Sequence, residues 1–135
     1  MQEVMEIAVK ELDHCDVISV IGYVERFTVA QLTQALETSN KRGKYNLIVD
    51  LSQVEYMSSA GYRALLVAQQ NNRRNRRGEL ILAQVPEHVQ QALELTGFGE
   101  FFHNFDDLSS AIEFAAQLPD NLPTDASLPK KTKSL

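Results

Sequence analysis

The most informative stretch of this chain runs from Asp50 to Gly61 and reads DLSQVEYMSSAG. The apolar run from Tyr45 to Leu51 predicts a strand, and apolar residues at helical spacing predict a helix from about Ser59 to Asn75. Between the strand and the helix we expect a short loop. The small residues at the end of the stretch let this loop pack closely and leave the N–H groups of the first helical turn accessible.

Two serines stand at the start of the predicted helix. On spacing alone, either Ser58 or Ser59 is expected to cap the helix, because serine is a preferred N-cap residue. A hydroxyl at this point also lies at the positive end of the helix dipole, where a phosphate group is favoured. The spacing is therefore compatible with a structural cap and with a serine that carries phosphate.

The chain before this stretch predicts a hairpin followed by a helix. Val4 to Lys10 and Val17 to Gly22 have strand patterns, and the short link between them carries the turn residues Asp13, His14 and Asp16. Two strands joined by so short a link pair antiparallel. The other predicted elements are a helix from the N-cap Thr28 to the stop signal Gly43, a strand Glu79 to Ala83, a helix between Pro86 and Gly97, a short edge strand Phe101 to Phe105, and a last helix Asp106 to Leu118.

The predicted element order is ββαβαβαβα. Strands that alternate with helices after an opening hairpin predict an α/β fold, with a mixed, mostly parallel sheet covered by about four helices. The length of 135 residues suits a single domain, which we place at residues 1–118. Residues 119–135 contain three of the four prolines among polar residues, so we expect a disordered C-terminal tail.

Composition excludes several classes of function. The formal net charge of −5 argues against binding to nucleic acid, which requires Lys and Arg to neutralise phosphates. The amino terminus does not resemble a signal peptide, and the longest apolar run, Ala64 to Ala68, is far too short to cross a bilayer. Cys15 is the single cysteine and cannot form an internal disulfide. We therefore expect a cytoplasmic protein that does not insert into a membrane.

The sequence contains none of the common catalytic or cofactor-binding motifs. The three histidines, His14, His88 and His103, do not stand at metal-ligand spacing from one another, from the cysteine or from an acid. There is no GxSxG nucleophile motif and no phosphate-binding GxxxxGK[ST] motif. The sequence predicts a protein that is not an enzyme, with no catalytic residue, no metal and no cofactor.

The stretch from Asp50 to Gly61 resembles the signature of STAS domains, named after sulfate transporters and anti-sigma factor antagonists. The bacterial antagonists have a strand ending Asp-Leu-Ser-x-Val, then an aromatic residue, an aliphatic residue and Asp-Ser-Ser/Thr-Gly. Gly22 to Thr28 (GYVERFT) is similar to the family's Gly-x-Leu-Asp-x-x-Thr, and Ala92 to Phe98 (ALELTGF) to its Leu-x-Leu-x-Gly-Leu/Phe. The resemblance extends over roughly residues 3 to 118 and implies a single STAS-like domain.

The resemblance also implies a phosphorylation site. Aligned on Gly61, the serine that the family phosphorylates falls on Ser59, with Ser58 as the less favoured alternative. Ser58 stands where an acidic residue often precedes that serine, and Ala60 follows it in place of serine or threonine. Glu25 likewise stands where an aspartate is usual.

What the resemblance implies about function is phosphorylation-controlled partner switching. The unmodified protein binds an anti-sigma factor that is also a serine protein kinase, the kinase phosphorylates the serine with ATP and dissociates, and a serine phosphatase resets the cycle. The exposed sheet edge at the first hairpin can also support a homodimer. The implied partner-binding residues are Glu25, Thr28, Met57, Ser58, Ser59, Ala60, Gly61 and Arg63.

Two alternative functions stay open at this point. A soluble STAS subunit can dock on a separate membrane transport system, and the genes beside its own would distinguish it from an antagonist. Less favoured is a nucleotide-binding domain that holds phosphate at the same helix N-terminus. That alternative lacks an obvious Lys or Arg in the motif loop, and a nucleotide-dependent thermal shift would test it.

Overall fold

The computed structural model describes residues 4–76 and 78–119, which form one mixed sheet and its flanking helices. The strands are β1 (Met5–Glu11), β2 (Asp16–Val24), β3 (Leu47–Met57), β4 (Leu80–Ala83) and β5 (His103–Phe105). The helices are α1 (Val29–Lys41), α2 (Ser59–Arg76), α3 (Glu87–Thr96) and α4 (Leu108–Gln117), with a 3₁₀ helix at Phe98–Phe101. Within the described ranges, no helix combines the length and the apolar character needed to cross a membrane.

The strands lie in the sheet in their sequence order, β1-β2-β3-β4-β5. β1 pairs antiparallel with β2, and each later pair is parallel because a helix carries the chain back to the starting end of the sheet. The predicted order ββαβαβαβα, with an opening hairpin and a mostly parallel sheet, is confirmed. β1 and β5 are the two edges.

Both faces of the sheet are covered. Alternate residues of the central strand β3 point to opposite faces, so Leu47 and Val49 lie in one apolar cluster and Ile48 in the other. α1, α2 and α3 cover the first face, with Leu36, Leu65 and similar residues in the larger cluster. α4 covers the second face through small side chains, Ala111 and Ala115.

The prediction that β3 ends at Leu51 and gives way to a loop is wrong. The strand continues to Met57, and its second half pairs with the end of β2 across two register shifts. This is possible because β2 itself runs on to Val24, so the added residues have a backbone partner. Most side chains in this half of the strand are polar and exposed, so the sequence pattern does not predict a strand here. Val54 and Met57 nevertheless point inward and are buried.

The predicted edge strand Phe101 to Phe105 also needs correction. Gly97 adopts a left-handed conformation (φ 77°) that ends α3, and the chain then forms the 3₁₀ helix through Phe101. The strand itself begins at His103.

The predicted tail, residues 119–135, falls almost entirely outside the described residues. Only Pro119 is placed, and its carbonyl accepts a hydrogen bond from Asn46 Nδ2 at 2.9 Å.

Candidate functional site

The sequence signature places the start of α2 at one end of the sheet, beside the end of β2. The backbone N–H of Ser58 donates to the carbonyl of Val24 at 2.8 Å, which fixes the turn between β3 and α2. The carbonyl of Ser58 then accepts from the N–H of Gly61 at 2.9 Å and starts the helix. The signature therefore ties the last residues of two strands to the first turn of a helix.

The two serines of the signature have opposite environments. Ser59 is the first residue of α2 and its side chain is exposed. Ser58 precedes the helix, and its Oγ is buried without a hydrogen-bond partner among the described residues. The capping bond that the sequence allows for Ser58 is therefore not made, and of the two hydroxyls only that of Ser59 is accessible to another protein.

Gly61 is required by close packing in the first turn of α2. A β-carbon at this position would lie 2.6 Å from Cγ of Met57 and 2.8 Å from Cγ1 of Val24, well inside van der Waals contact. Met57 is itself buried in the main core. Of the predicted partner-binding residues, Met57 and Gly61 therefore hold the helix against the sheet and are not available on the surface.

A tight turn from Glu25 to Thr28 joins β2 to α1 on the same side of the site. Thr28 precedes α1 as predicted, but its hydroxyl does not cap the helix: it donates to the carbonyl of Tyr23 at 2.8 Å and accepts from the N–H of Glu25 at 2.9 Å. The half-buried Glu25 accepts from the N–H of Phe27 at 2.9 Å. Thr28 and Glu25 thus stabilise the shape of this turn.

Sequence reasoning missed the aromatic side chains around the site. Phe27 is 76% exposed at the tip of the turn, with the guanidinium of Arg26 over its ring at 4.7 Å from the centroid. Tyr56 is 49% exposed at the end of β3 and lies beside Tyr23, with 6.3 Å between the ring centroids. Both residues lie in segments that resemble the family signature. Exposed aromatic residues are enriched at protein interfaces, so Phe27 and Tyr56 could have been predicted as interface residues from the sequence.

A groove of about 460 Å³ runs between α1 and α2, and we call it the α1–α2 groove. Ser59 lies at its rim, and Arg63, one helical turn further on, lines the same side. Glu37 lines it from α1. The apolar part of the lining consists of Val29, Leu36, Ala60, Ala64, Val67 and Ala68.

One ionisable group beside the signature has a shifted pKa. Burial raises the pKa of Tyr62, and the neighbouring Tyr56 adds to the effect. The phenol of Tyr62 therefore stays protonated at neutral pH and adds no charge near Ser59. The charges on the described groove lining come from Glu37 and Arg63.

Comparison with known proteins gives a family model and a curated relative that each match most of the chain. The family model described as Mlab, STAS domain matches residues 7–109. BtrV of Bordetella bronchiseptica, provisionally named an anti-sigma factor antagonist, is 32% identical over 99 residues. That alignment covers 73% of this chain and 84% of BtrV.

Solved structures share the fold over nearly their whole length. An anti-sigma factor antagonist from Mycobacterium paratuberculosis matches with a TM-score of 0.76 at 22% identity, covering 84% of this chain and 96% of that one. The Bacillus cell fate determinant SpoIIAA, an anti-sigma factor antagonist, matches in its unphosphorylated form with a TM-score of 0.71 at 16% identity, covering 85% and 100%. Its phosphorylated form matches with a TM-score of 0.65 at 17% identity, covering 81% and 98%.

Proposed function

This chain belongs to the STAS domain family, and from that premise we propose that it is an anti-sigma factor antagonist. In this proposal the unmodified chain binds an anti-sigma factor and so releases a sigma factor. The anti-sigma factor is also a serine kinase, which transfers the γ-phosphoryl group of ATP to Oγ of Ser59. ADP leaves, the hydroxyl proton passes to a base of the kinase, and a phosphatase later removes the phosphate by hydrolysis.

The single observation that carries this proposal is the contrast between the two serines. Ser59 presents its hydroxyl to solvent at the start of α2, on the rim of the groove. Ser58 directs its hydroxyl into the protein, where a kinase cannot reach it without local unfolding. We therefore propose Ser59 as the phosphorylated residue and the N-terminal end of α2 as the centre of the partner-binding surface.

The physical effect of the phosphate is larger at an interface than within the domain. A phosphoserine adds about −1.5 to −2 charges, and at its own helix N-terminus it gains only about 0.3–1 kcal/mol. Buried against a packed or acidic partner surface, the same charge costs several kcal/mol through desolvation and repulsion. About 2.8 kcal/mol already weakens binding a hundredfold. Phosphorylation is therefore expected to release the partner and to leave the fold intact.

The proposed surface combines residues that contact the partner with residues that hold them in place. Ser59, Ala60 and Arg63 line the open groove, and the exposed Phe27 lies in the turn that leads into α1. Their supports are the buried or half-buried residues of the predicted set, which are Glu25, Thr28, Met57, Ser58 and Gly61.

The names of the relatives support the same role. BtrV carries a provisional name as an anti-sigma factor antagonist, and SpoIIAA has been solved both with and without phosphate. In the proposed role the chain is the substrate of a kinase and the ligand of a partner, not itself an enzyme. Because sigma factors and ATP-dependent kinases act in the cytoplasm, the proposal places the chain there, and the free edge of β1 is where a homodimer would pair.

The experiment mixes the purified chain with the serine kinase or anti-sigma factor encoded nearest to its gene, together with ATP and magnesium, and maps phosphate by mass spectrometry. We expect one phosphate on Ser59, no incorporation into Ser59→Ala and normal incorporation into Ser58→Ala. Binding of the kinase without phosphate on Ser59, or phosphate on Ser58 in the folded protein, would contradict the proposal.

A further inference from the structure

The α1–α2 groove has an apolar surface that the packing of the core leaves partly exposed. Val67, on the second turn of α2 beyond Ser59, is 47% exposed, although it is a large apolar residue. Val29 and the small residues Ala60, Ala64 and Ala68 extend this surface along the groove. Contact with another apolar surface would remove this area from water and so stabilise a complex.

The walls of the groove determine what kind of segment fits it. Both walls are helices, whose interior N–H and C=O groups are already paired, so the groove cannot add a β-strand. None of the described residues that line it is aromatic, which is unlike the grooves that bind proline-rich segments. From Ser59 to Asn71 along α2 the groove is about 18 Å long, the length of about three helical turns.

The two sides of the groove carry opposite charges. Glu37 lines it from α1 and Arg63 from α2, and neither forms an ion pair within residues 4–76 and 78–119. A segment with a basic flank toward α1 and an acidic flank toward α2 would complement both. Such a segment, with apolar residues on the face between these flanks, is an amphipathic helix.

We propose that the α1–α2 groove receives an amphipathic helix of the anti-sigma factor, an inference that rests on the proposed function and adds the structure of the partner segment. The end of this helix lies over Ser59, because Ser59 is on the rim of the same groove. A phosphate on Ser59 places its negative charge against the bound helix and against the acidic flank that faces α2. This geometry links the modification site to release of the partner.

A pair of charge insertions tests the groove directly. Val67→Glu places a carboxylate in the apolar part of the groove and is expected to raise the Kd for the anti-sigma factor about thirtyfold, the size of an interface hot spot. Leu95→Glu is the matched control, since Leu95 is 87% exposed on α3, outside the groove lining, and its Kd should stay within about twofold of wild type. Unchanged binding of folded Val67→Glu would overturn the groove proposal.

Ser59→Asp in the same titration separates the two proposals. Weaker binding of Ser59→Asp with normal binding of Val67→Glu would reject the groove alone. Normal binding of Ser59→Asp would instead reject the phosphorylation switch.

Cross-linking identifies the segment that occupies the groove. A photo-reactive residue replacing Val67 is expected to cross-link to a partner segment whose apolar residues recur three and four positions apart. A cross-link to residues 120–135 of this chain, or to a second copy of it, would overturn the proposal, as would a cross-link to a partner segment without that spacing. The same photo-reactive residue at Leu95 should give no partner cross-link.

Discussion

At the scale of single residues, the adjacent serines Ser58 and Ser59 lie in different environments. The hydroxyl of Ser59 is exposed, so a phosphate added there would extend into solvent and leave the core unchanged. The hydroxyl of Ser58 is buried and has no hydrogen-bond partner within residues 4–76 and 78–119, which costs free energy because it has lost its bonds to water. The sequence alone cannot distinguish the two, since both serines suit a helix start and the difference depends on how α2 packs on β2 and β3.

Ser58→Ala tests this difference in burial. Replacing a buried, unpaired hydroxyl with a methyl group removes its desolvation penalty, so we expect the free energy of unfolding to rise by about 1 kcal/mol. Denaturant titration measures the change. Ser59→Ala serves as the control, and its exposed side chain should change stability by less than about 0.5 kcal/mol. A loss of stability in Ser58→Ala would mean that its hydroxyl has a stabilising partner.

A second residue whose environment the sequence does not reveal is Asp16. The pattern predicts a turn residue, but Asp16 is the first residue of β2 and is fully buried. Its carboxylate accepts from Ser39 Oγ at 2.6 Å and lies 2.7 Å from the guanidinium of Arg42 and 3.3 Å from Nζ of Lys44. These partners come from the end of α1 and the segment after it, so only the tertiary fold brings them together.

Asp16→Ala should lower the free energy of unfolding by about 3 kcal/mol, because it removes the buried acceptor shared by two cations and a serine. Arg42→Ala is the control, and its partly exposed side chain should contribute about 1 kcal/mol or less. Asp16 and Val24 lie at opposite ends of β2, about 26 Å apart. Partner affinity of the folded variant should therefore be unchanged, and a combined loss of affinity and stability would contradict this separation.

At the scale of secondary-structure elements, periodicity predicts the helices and the buried parts of the strands well. It fails for the second half of β3, where residues such as Ser52 and Glu55 face solvent. Pairing with β2 determines that part of the strand, and pairing is not a local property.

The start of α4 has an acidic N-cap residue. Asp107 precedes the helix, and its carboxylate accepts from the N–H of Ser110 at 2.7 Å. This backbone hydrogen bond lowers the pKa of Asp107, and a bond from the Ser110 hydroxyl acts in the same direction. Because the pKa of Asp107 is lower in the folded than in the unfolded protein, its ionised carboxylate stabilises the fold at pH values above the unfolded pKa. This stabilisation is lost as the pH falls through the folded pKa.

Asp107→Ala should therefore lower the melting temperature at pH 7, with a difference from wild type that shrinks as the pH falls below about 4. Thermal unfolding followed by circular dichroism at several pH values measures this effect. Asp106→Ala is the control. Asp106 is exposed and adjacent to Asp107, but the N–H of Ser110 donates to Asp107 and not to Asp106. If the melting temperatures of Asp107→Ala and wild type differ as much at pH 2 as at pH 7, the ionised carboxylate does not form the cap.

At the scale of the whole molecule, the fold follows from the order of its elements, whereas its fixed packing depends on buried amides. Gln69 on α2 donates to the carbonyl of Phe101 at 2.7 Å and accepts from the N–H of Leu80 at 2.7 Å. Asn72, one turn further on, donates to the carbonyl of Tyr45 at 2.9 Å. These contacts join distant parts of the chain, and a pattern of polar and apolar residues does not predict them.

The buried amides lie toward the far end of α2 from Ser59. They fix this half of the helix to the rest of the domain, away from the turn that carries Ser59. This arrangement favours a change in binding over a change in fold when Ser59 is phosphorylated. Backbone chemical shifts of α2 beyond its first turn should therefore be the same with and without the phosphate.

The most direct test of the central claim is the Kd of the anti-sigma factor for this chain with and without phosphate on Ser59, measured by titration calorimetry without ATP. We expect stoichiometric phosphorylation of Ser59 to weaken binding at least about a hundredfold, while the circular dichroism spectrum of the folded protein is retained. Equal affinity of the two forms, with phosphate confirmed on Ser59, would contradict it.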